Sequence, residues 1–158
     1  MIKIKRSPTA DTRTCDFKTV DRDTLLRSSI VHIGDVSAAL GFFAARLKAA
    51  SGVHDFDKIS EIDKFHADFV TGFEKHDWWD NHRKVNRHHL FEADGVPDDV
   101  NLIDVLDLIA DCVMAGMARS GSVYELKLDP QVLQKAFTNT VELLKKNVVV
   151  EDAEAVSA

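Results

Sequence analysis

VNLIDVLDLIADCVMAGMA, residues 100–118, reads as one helix whose surroundings set the architecture. Leu102, Ile103, Val105, Leu106, Leu108, Ile109, Val113, Met114 and Met117 cover most of its circumference, so it is expected to be central and largely buried. Asp104, Asp107 and Asp111 recur at i, i+3 and i+7. At about 100° per residue they form one acidic stripe roughly 60° wide. A buried carboxylate is costly unless it is paired or bound to metal. The stripe is therefore either the solvated edge of a half-buried helix or, at Asp111 above all, part of a ligand set.

Outward from this helix the pattern stays helical. Leu25, Leu26, Ile30, Ile33, Val36, Leu40, Phe43 and Leu47 recur at steps of three to four, predicting one long amphipathic helix from Asp23 that Gly52 ends. Ser60-Glu61-Ile62-Asp63 resembles a capping box opening a helix that carries Phe65, Phe69 and Phe73 and closes at Trp78-Trp79. A further helical piece is expected over residues 80–90, then a loop over 92–99 marked by Asp94-Gly95 and Pro97. Residues 123–128 suit a short extended segment. Asp129-Pro130 starts a last amphipathic helix, Asp as N-cap and Pro at its first position. Ile2-Lys3-Ile4-Lys5 alternates like a short strand, or is nothing. The expectation is an all-α, single-domain bundle of about five helices over residues 23–150, with an N-terminal extension (1–22) and a frayed acidic tail (151–158).

Composition narrows the function classes. The chain has 158 residues, 45% hydrophobic, with net charge −6 at pH 7. An acidic surface argues against duplex nucleic acid as a partner. Cys15 and Cys112 form no C-x-x-C pair, which fits a reducing cytoplasm. Neither a signal peptide nor an unbroken uncharged apolar run of membrane-spanning length is visible, so no membrane partner is expected. The apolar faces of the first and last helices leave room for a homodimer.

Chemistry concentrates in the histidines and aspartates. His54-Asp55 follows the helix-ending Gly52, with Lys58 three residues on. In the segment from Asp77 to His89, His82, Asn86 and His89 share a helical face at i, i+4 and i+7. His88 points elsewhere unless the helix unwinds there. Arg83, Lys84 and Arg87 add positive charge that suits a phosphate. His32 lies on the first long helix, where a lone histidine is usually structural. Imidazole and carboxylate together suit Fe, Mn, Ni, Co or Zn. The bland alternative is a histidine-rich exposed helix on a binding module.

The order His32…His54-Asp55…Asp111 resembles the HD-domain superfamily of metal-dependent phosphohydrolases. His54-Asp55-x-x-Lys58 and the later pair His88-His89 followed by Asp94-Gly95 resemble its binuclear branch. A closer likeness is to short HD-like proteins of phages and bacteria, carried also by Trp79-x-x-His82-x3-Asn86 and Asp107-x3-Asp111 and spanning roughly Ser28 to Gly121. The Gly-Tyr-Pro element of the signalling phosphodiesterases is absent. The resemblance implies a first metal on His32, His54, Asp55 and Asp111, and a second on His82 with His88 or His89, Asp55 bridging. It implies one or two divalent transition-metal ions, a catalytic set of Asp55, Lys58 and Asp107, and phosphate contacts from Lys58, Arg83 and Arg119. Asp107 would orient a ligand histidine. The implied substrate is a small nucleotide, a 5′-(deoxy)ribonucleotide first. Alternatives are a signalling nucleotide (alarmone or cyclic) and a non-catalytic metal-binding interaction protein.

Overall fold

Helix boundaries in the computed structural model, which describes residues 1–75 and 77–152, follow the apolar periodicity best in the long helices and least between residues 53 and 95. The elements are β1 (Ile2–Lys5), α1 (Arg22–Ser51), α2 (Asp57–Ser60), α3 (Ile62–Phe69), α4 (Asp77–Val85), α5 (Leu102–Ser120), α6 (Pro130–Lys146) and β2 (Val148–Glu151). The chain is all-α, 62% helical with 5% strand. Two compact units are distinguishable, Met1–Ala45 with the chain from Leu143 onward, and Arg46–Glu142. The division falls inside α1 and α6, where the sequence suggests none. The frayed tail expected from residue 151 lies, from 153 on, outside the described residues; Glu151 itself ends β2.

In the first unit the Ile-Lys alternation becomes a strand. β1 pairs in parallel with β2, Ile2 opposite Val148 and Lys5 opposite Glu151, and Lys3 reaches Glu151 at 2.8 Å. α1 is not the one-faced amphipathic helix expected. Val31 and Phe42 lie off the predicted face, and the only buried residue of the helix is Ser28. Ile30, Ile33 and Leu40 are all exposed. One segment bears on the expectation of no uncharged apolar run of membrane-spanning length. An 18-residue stretch of α1 has mean hydropathy 1.4 with none of it buried, so by length and composition the helix could cross a bilayer. Asp35 and Arg46 interrupt the uncharged run, but over the full window they are outweighed by their aliphatic, aromatic and small neighbours.

The second unit packs around Leu90, Val100, Val105, Leu108 and Ala136. Burying side chains of this size contributes about 1.5–3 kcal/mol each for the larger ones. α5 begins at a reciprocal cap, in which the Asn101 side chain accepts from Ile103 N–H at 3.0 Å and Asp104 accepts from Asn101 N–H at 2.9 Å. It ends at Gly121, whose φ of 68° is the left-handed C-terminal conformation. α5 is only half-buried, contrary to expectation: Ile103, Val105 and Leu108 face inward, while Leu106, Ile109, Met114 and Met117 are exposed. α6 starts as predicted, with Asp129 Oδ1 accepting from Gln131 N–H at 2.8 Å.

The middle of the chain differs most. Ser60 ends α2, and Glu61 caps α3 without any side-chain hydrogen bond, so the expected capping box does not form. Trp78 and Trp79 open α4; they do not close α3. The reason is long-range: Asp68, buried at the end of α3, accepts from Trp79 N–H at 3.1 Å and so caps α4. Trp78 is then stacked between Phe65 at 4.4 Å and His82 at 4.7 Å. α4 stops at Val85, five residues short of the predicted end at Leu90, and no strand forms over residues 123–128.

Candidate metal centre

The side chains of the centre arrive on four pieces of backbone in the second unit: the turn after α1, α4, the turn after α4, and α5. α1 ends in a turn at Gly52, and the chain then places Asp55 at φ 52°, left-handed backbone that Asp tolerates better than most residues. This conformation is held by Asp55 N–H donating to Asn86 Oδ1 at 3.1 Å. α4 supplies His82, fully buried, and the turn after Val85 supplies His88 and His89. α5 supplies Asp107 and Asp111 from its acidic stripe.

These residues gather into two groups with ligand geometry that share one carboxylate: His54, Asp55 and His88, and Asp55, His82 and His89. Asp55 Oδ1 lies 3.4 Å from His82 Nε2 and 3.5 Å from His88 Nε2, and Asp55 Oδ2 lies 3.6 Å from His54 Nε2. His82 Nε2 and His89 Nε2 face each other at 2.9 Å. Two ligands bound about 2.1 Å from a common ion at angles of 90–110° stand roughly 3.0–3.4 Å apart. The observed spacings are close to those values. Asp55 Oδ1 and His88 Nε2 are both buried and without a hydrogen-bond partner. Two such orphans facing each other are costly unless a cation lies between them. These buried groups could hold a metal ion.

The supporting contacts are of the kind metal sites use. His82 Nδ1 lies 2.8 Å from Asp57 Oδ2, which favours a proton on Nδ1 and leaves Nε2 as the lone-pair atom. Asn86 Nδ2 donates to Asp57 Oδ1 at 2.9 Å. His54 Nδ1 lies 2.9 Å from Asp107 Oδ1, close enough for attraction though not aligned as a hydrogen bond. Lys58 Nζ donates to Asp55 Oδ2 at 2.5 Å. Burial opposes ionisation of Asp55, but Lys58 beside it, with His54 and His88 beyond, holds its carboxyl below the usual range. Burial likewise opposes ionisation of Asp57, and its bonds to Asn86 and His82 outweigh it. Burial keeps His88 below the ordinary imidazole range against the pull of Asp55. His89 is pushed down to about 4 by burial and by His88 and His82 beside it. Neutral imidazole is the metal-binding form.

His88 and His89 thus enter different groups, because the helix does unwind before them. Asp111 Oδ1 stands at 3.8 Å from His54 Nε2, at the edge of the first group. His32 belongs to the first unit, on an exposed turn of α1. Arg83 is committed to Asp80 and Asp94. Arg119 is exposed in the last turn of α5. Two residues of the centre take parts that the sequence did not single out: Asp57, which partners His82 and Asn86, and Asn86, noted for its helical face and in the quoted motif but not as a partner of Asp55 and Asp57. The i, i+4 spacing of His82 and Asn86 was the one available signal.

Comparison with protein-family models, with curated proteins and with solved structures gives no match. The HD-domain resemblance therefore rests on the residues quoted for it.

Proposed function

We propose that this chain is a metal-dependent phosphohydrolase that holds two divalent transition-metal ions on a bridging Asp55 and acts on a nucleotide phosphate. The observation that carries the reading is the pair of ligand groups sharing Asp55, with Asp55 Oδ1 and His88 Nε2 buried and unpartnered. The first group would be His54, Asp55 and His88, with Asp111 at its edge; the second would be Asp55, His82 and His89. Bound divalent ions supply Lewis acidity that lowers the pKa of a coordinated water toward about 7 and stabilises charge on phosphoryl oxygens.

The chain's own residues do the rest. Asp57 fixes the orientation of His82 by a hydrogen bond, and Asp107 places negative charge beside His54 Nδ1. Lys58, whose side chain is partly exposed beside Asp55, offers positive charge to a phosphoryl oxygen. Hydrolysis adds the water oxygen to phosphorus, breaks the phosphorus–oxygen ester bond, and passes a proton to the departing alkoxide. A cleft of about 550 Å³ lined by Trp79, Arg83, His89, Phe91, Glu92 and Asp94 opens beside the second group and is large enough for a small organic ester.

The test is elemental analysis of the purified protein and of Asp55→Ala, followed by phosphate release from a panel of nucleoside phosphates. About two ions per chain, lost in the variant, with chelator-sensitive release from one nucleotide class, is the expected result. No metal after reconstitution refutes the reading. Metal without turnover on any nucleotide, signalling nucleotides included, refutes the enzyme and leaves a metal-stabilised interaction protein.

A further inference from the structure

We infer that Arg83, Asp94 and Gly95 form a clamp that sets the spacing of His82 and His89 and thereby the affinity of the second ligand group alone. The inference rests on the two-ion reading above. His82 is on α4 and His89 lies beyond the helix end, so helical geometry does not fix their 2.9 Å approach. A separate link is needed, and the turn at Ala93–Gly95 provides one.

One end of the link is a fork. Arg83, next to His82 on α4, donates from Nη1 to Asp94 Oδ1 at 2.7 Å and from Nη2 to Asp94 Oδ2 at 3.0 Å. Nη2 also reaches Asp80 Oδ1 at 2.9 Å. A two-pronged guanidinium–carboxylate contact fixes orientation as well as distance. The other end is a close backbone approach. A Cβ added at Gly95 would stand 2.4 Å from the His89 carbonyl oxygen and 3.6 Å from its Cβ. Only glycine leaves room for that contact; here the need is space and not an unusual φ. Because Asp94 and Gly95 are consecutive, α4 beside His82 is tied to the backbone of His89. Arg83 is thus a positioning residue, and both its terminal nitrogens are spoken for by carboxylates. The first group has a different support: His54 comes from the turn after α1 and is braced by Asp107.

The experiment titrates Mn²⁺ into metal-stripped wild type, Asp94→Asn, Arg83→Lys and Gly95→Ala by calorimetry, with circular dichroism confirming the fold. Asp94 is 61% exposed, so its replacement by Asn is the variant least able to harm folding. Wild type is expected to take two ions. In the variants one affinity should fall about 10–100-fold and the other stay within about threefold. Adding His54→Ala to Asp94→Asn should then weaken the ion that remained. Unchanged affinity for both ions in folded variants overturns the clamp, as does an equal loss of both. Failure of the two-ion reading itself is visible separately, as wild type that takes up no Mn²⁺.

Discussion

Arg87 sits between the centre's Asn86 and His88, yet its side chain turns away from the metal groups toward the start of α5. Nε donates to Asp104 Oδ1 at 2.8 Å and Nη2 to Asp104 Oδ2 at 2.9 Å, while Nη1 reaches Asp99 Oδ1 at 2.9 Å. The Asp104 carboxylate is buried and also accepts from Asn101 N–H. Removing Arg87 therefore leaves a buried charge with only its cap contact. Breaking a buried pair from one side costs about 3–5 kcal/mol. The guanidinium is partly exposed, so water recovers part of that, and about 2–3 kcal/mol is expected for Arg87→Met. In a chain of this length that corresponds to a fall in Tm of roughly 6–10 °C. Arg87→Lys keeps the charge but not the fork, and should lose about half as much. The assay is urea denaturation of metal-free protein, with Asp104→Asn and the double variant completing a cycle. A coupling energy under about 0.5 kcal/mol would refute the argument that this pair anchors the His88-His89 turn to α5.

Two further outcomes follow from the structure. Gly116→Ala should destabilise by about 1–3 kcal/mol despite alanine's better helix propensity, because its Cβ would stand 2.7 Å from the Ser122 carbonyl oxygen; a thermal melt equal to or above wild type would show that the loop after α5 yields freely. Metal-free protein should lose stability as pH falls from about 6.5 toward 4. His89 is held neutral down to about 4 in the fold, so between those values the unfolded chain binds the extra proton and acid favours it. Urea midpoints at pH 7 and pH 5 test this, and His89→Gln should flatten the difference; a midpoint that rises on acidification contradicts the assigned burial.

The parts of the fold legible in the sequence are those set by near neighbours. Asp129-Pro130 starts α6 because the cap and the first-turn proline act within two residues of each other. The length of α1 follows from apolar spacing and the stop at Gly52. The acidic stripe of α5 was legible as a stripe, and its three members then take different tasks: Asp104 binds Arg87, Asp107 braces His54, and Asp111 stands near His54 Nε2. By contrast, Trp78-Trp79 looked like a helix end because nothing local says that Asp68, eleven residues earlier, caps the turn they begin.

The sequence by itself determined the donor chemistry: histidines and aspartates, side chains that can hold a metal ion, on a chain whose apolar periodicity is helical. Only tertiary structure decided which donors meet. His88 and His89 separate into two groups because α4 ends at Val85, and Asp55 is shared because a left-handed backbone, held by Asn86 31 residues away, turns its carboxylate between them. Side-chain identity is written residue by residue, but a ligand set is a set of distances. Distances between segments this far apart are fixed by packing and by long-range hydrogen bonds, which no local window of sequence contains.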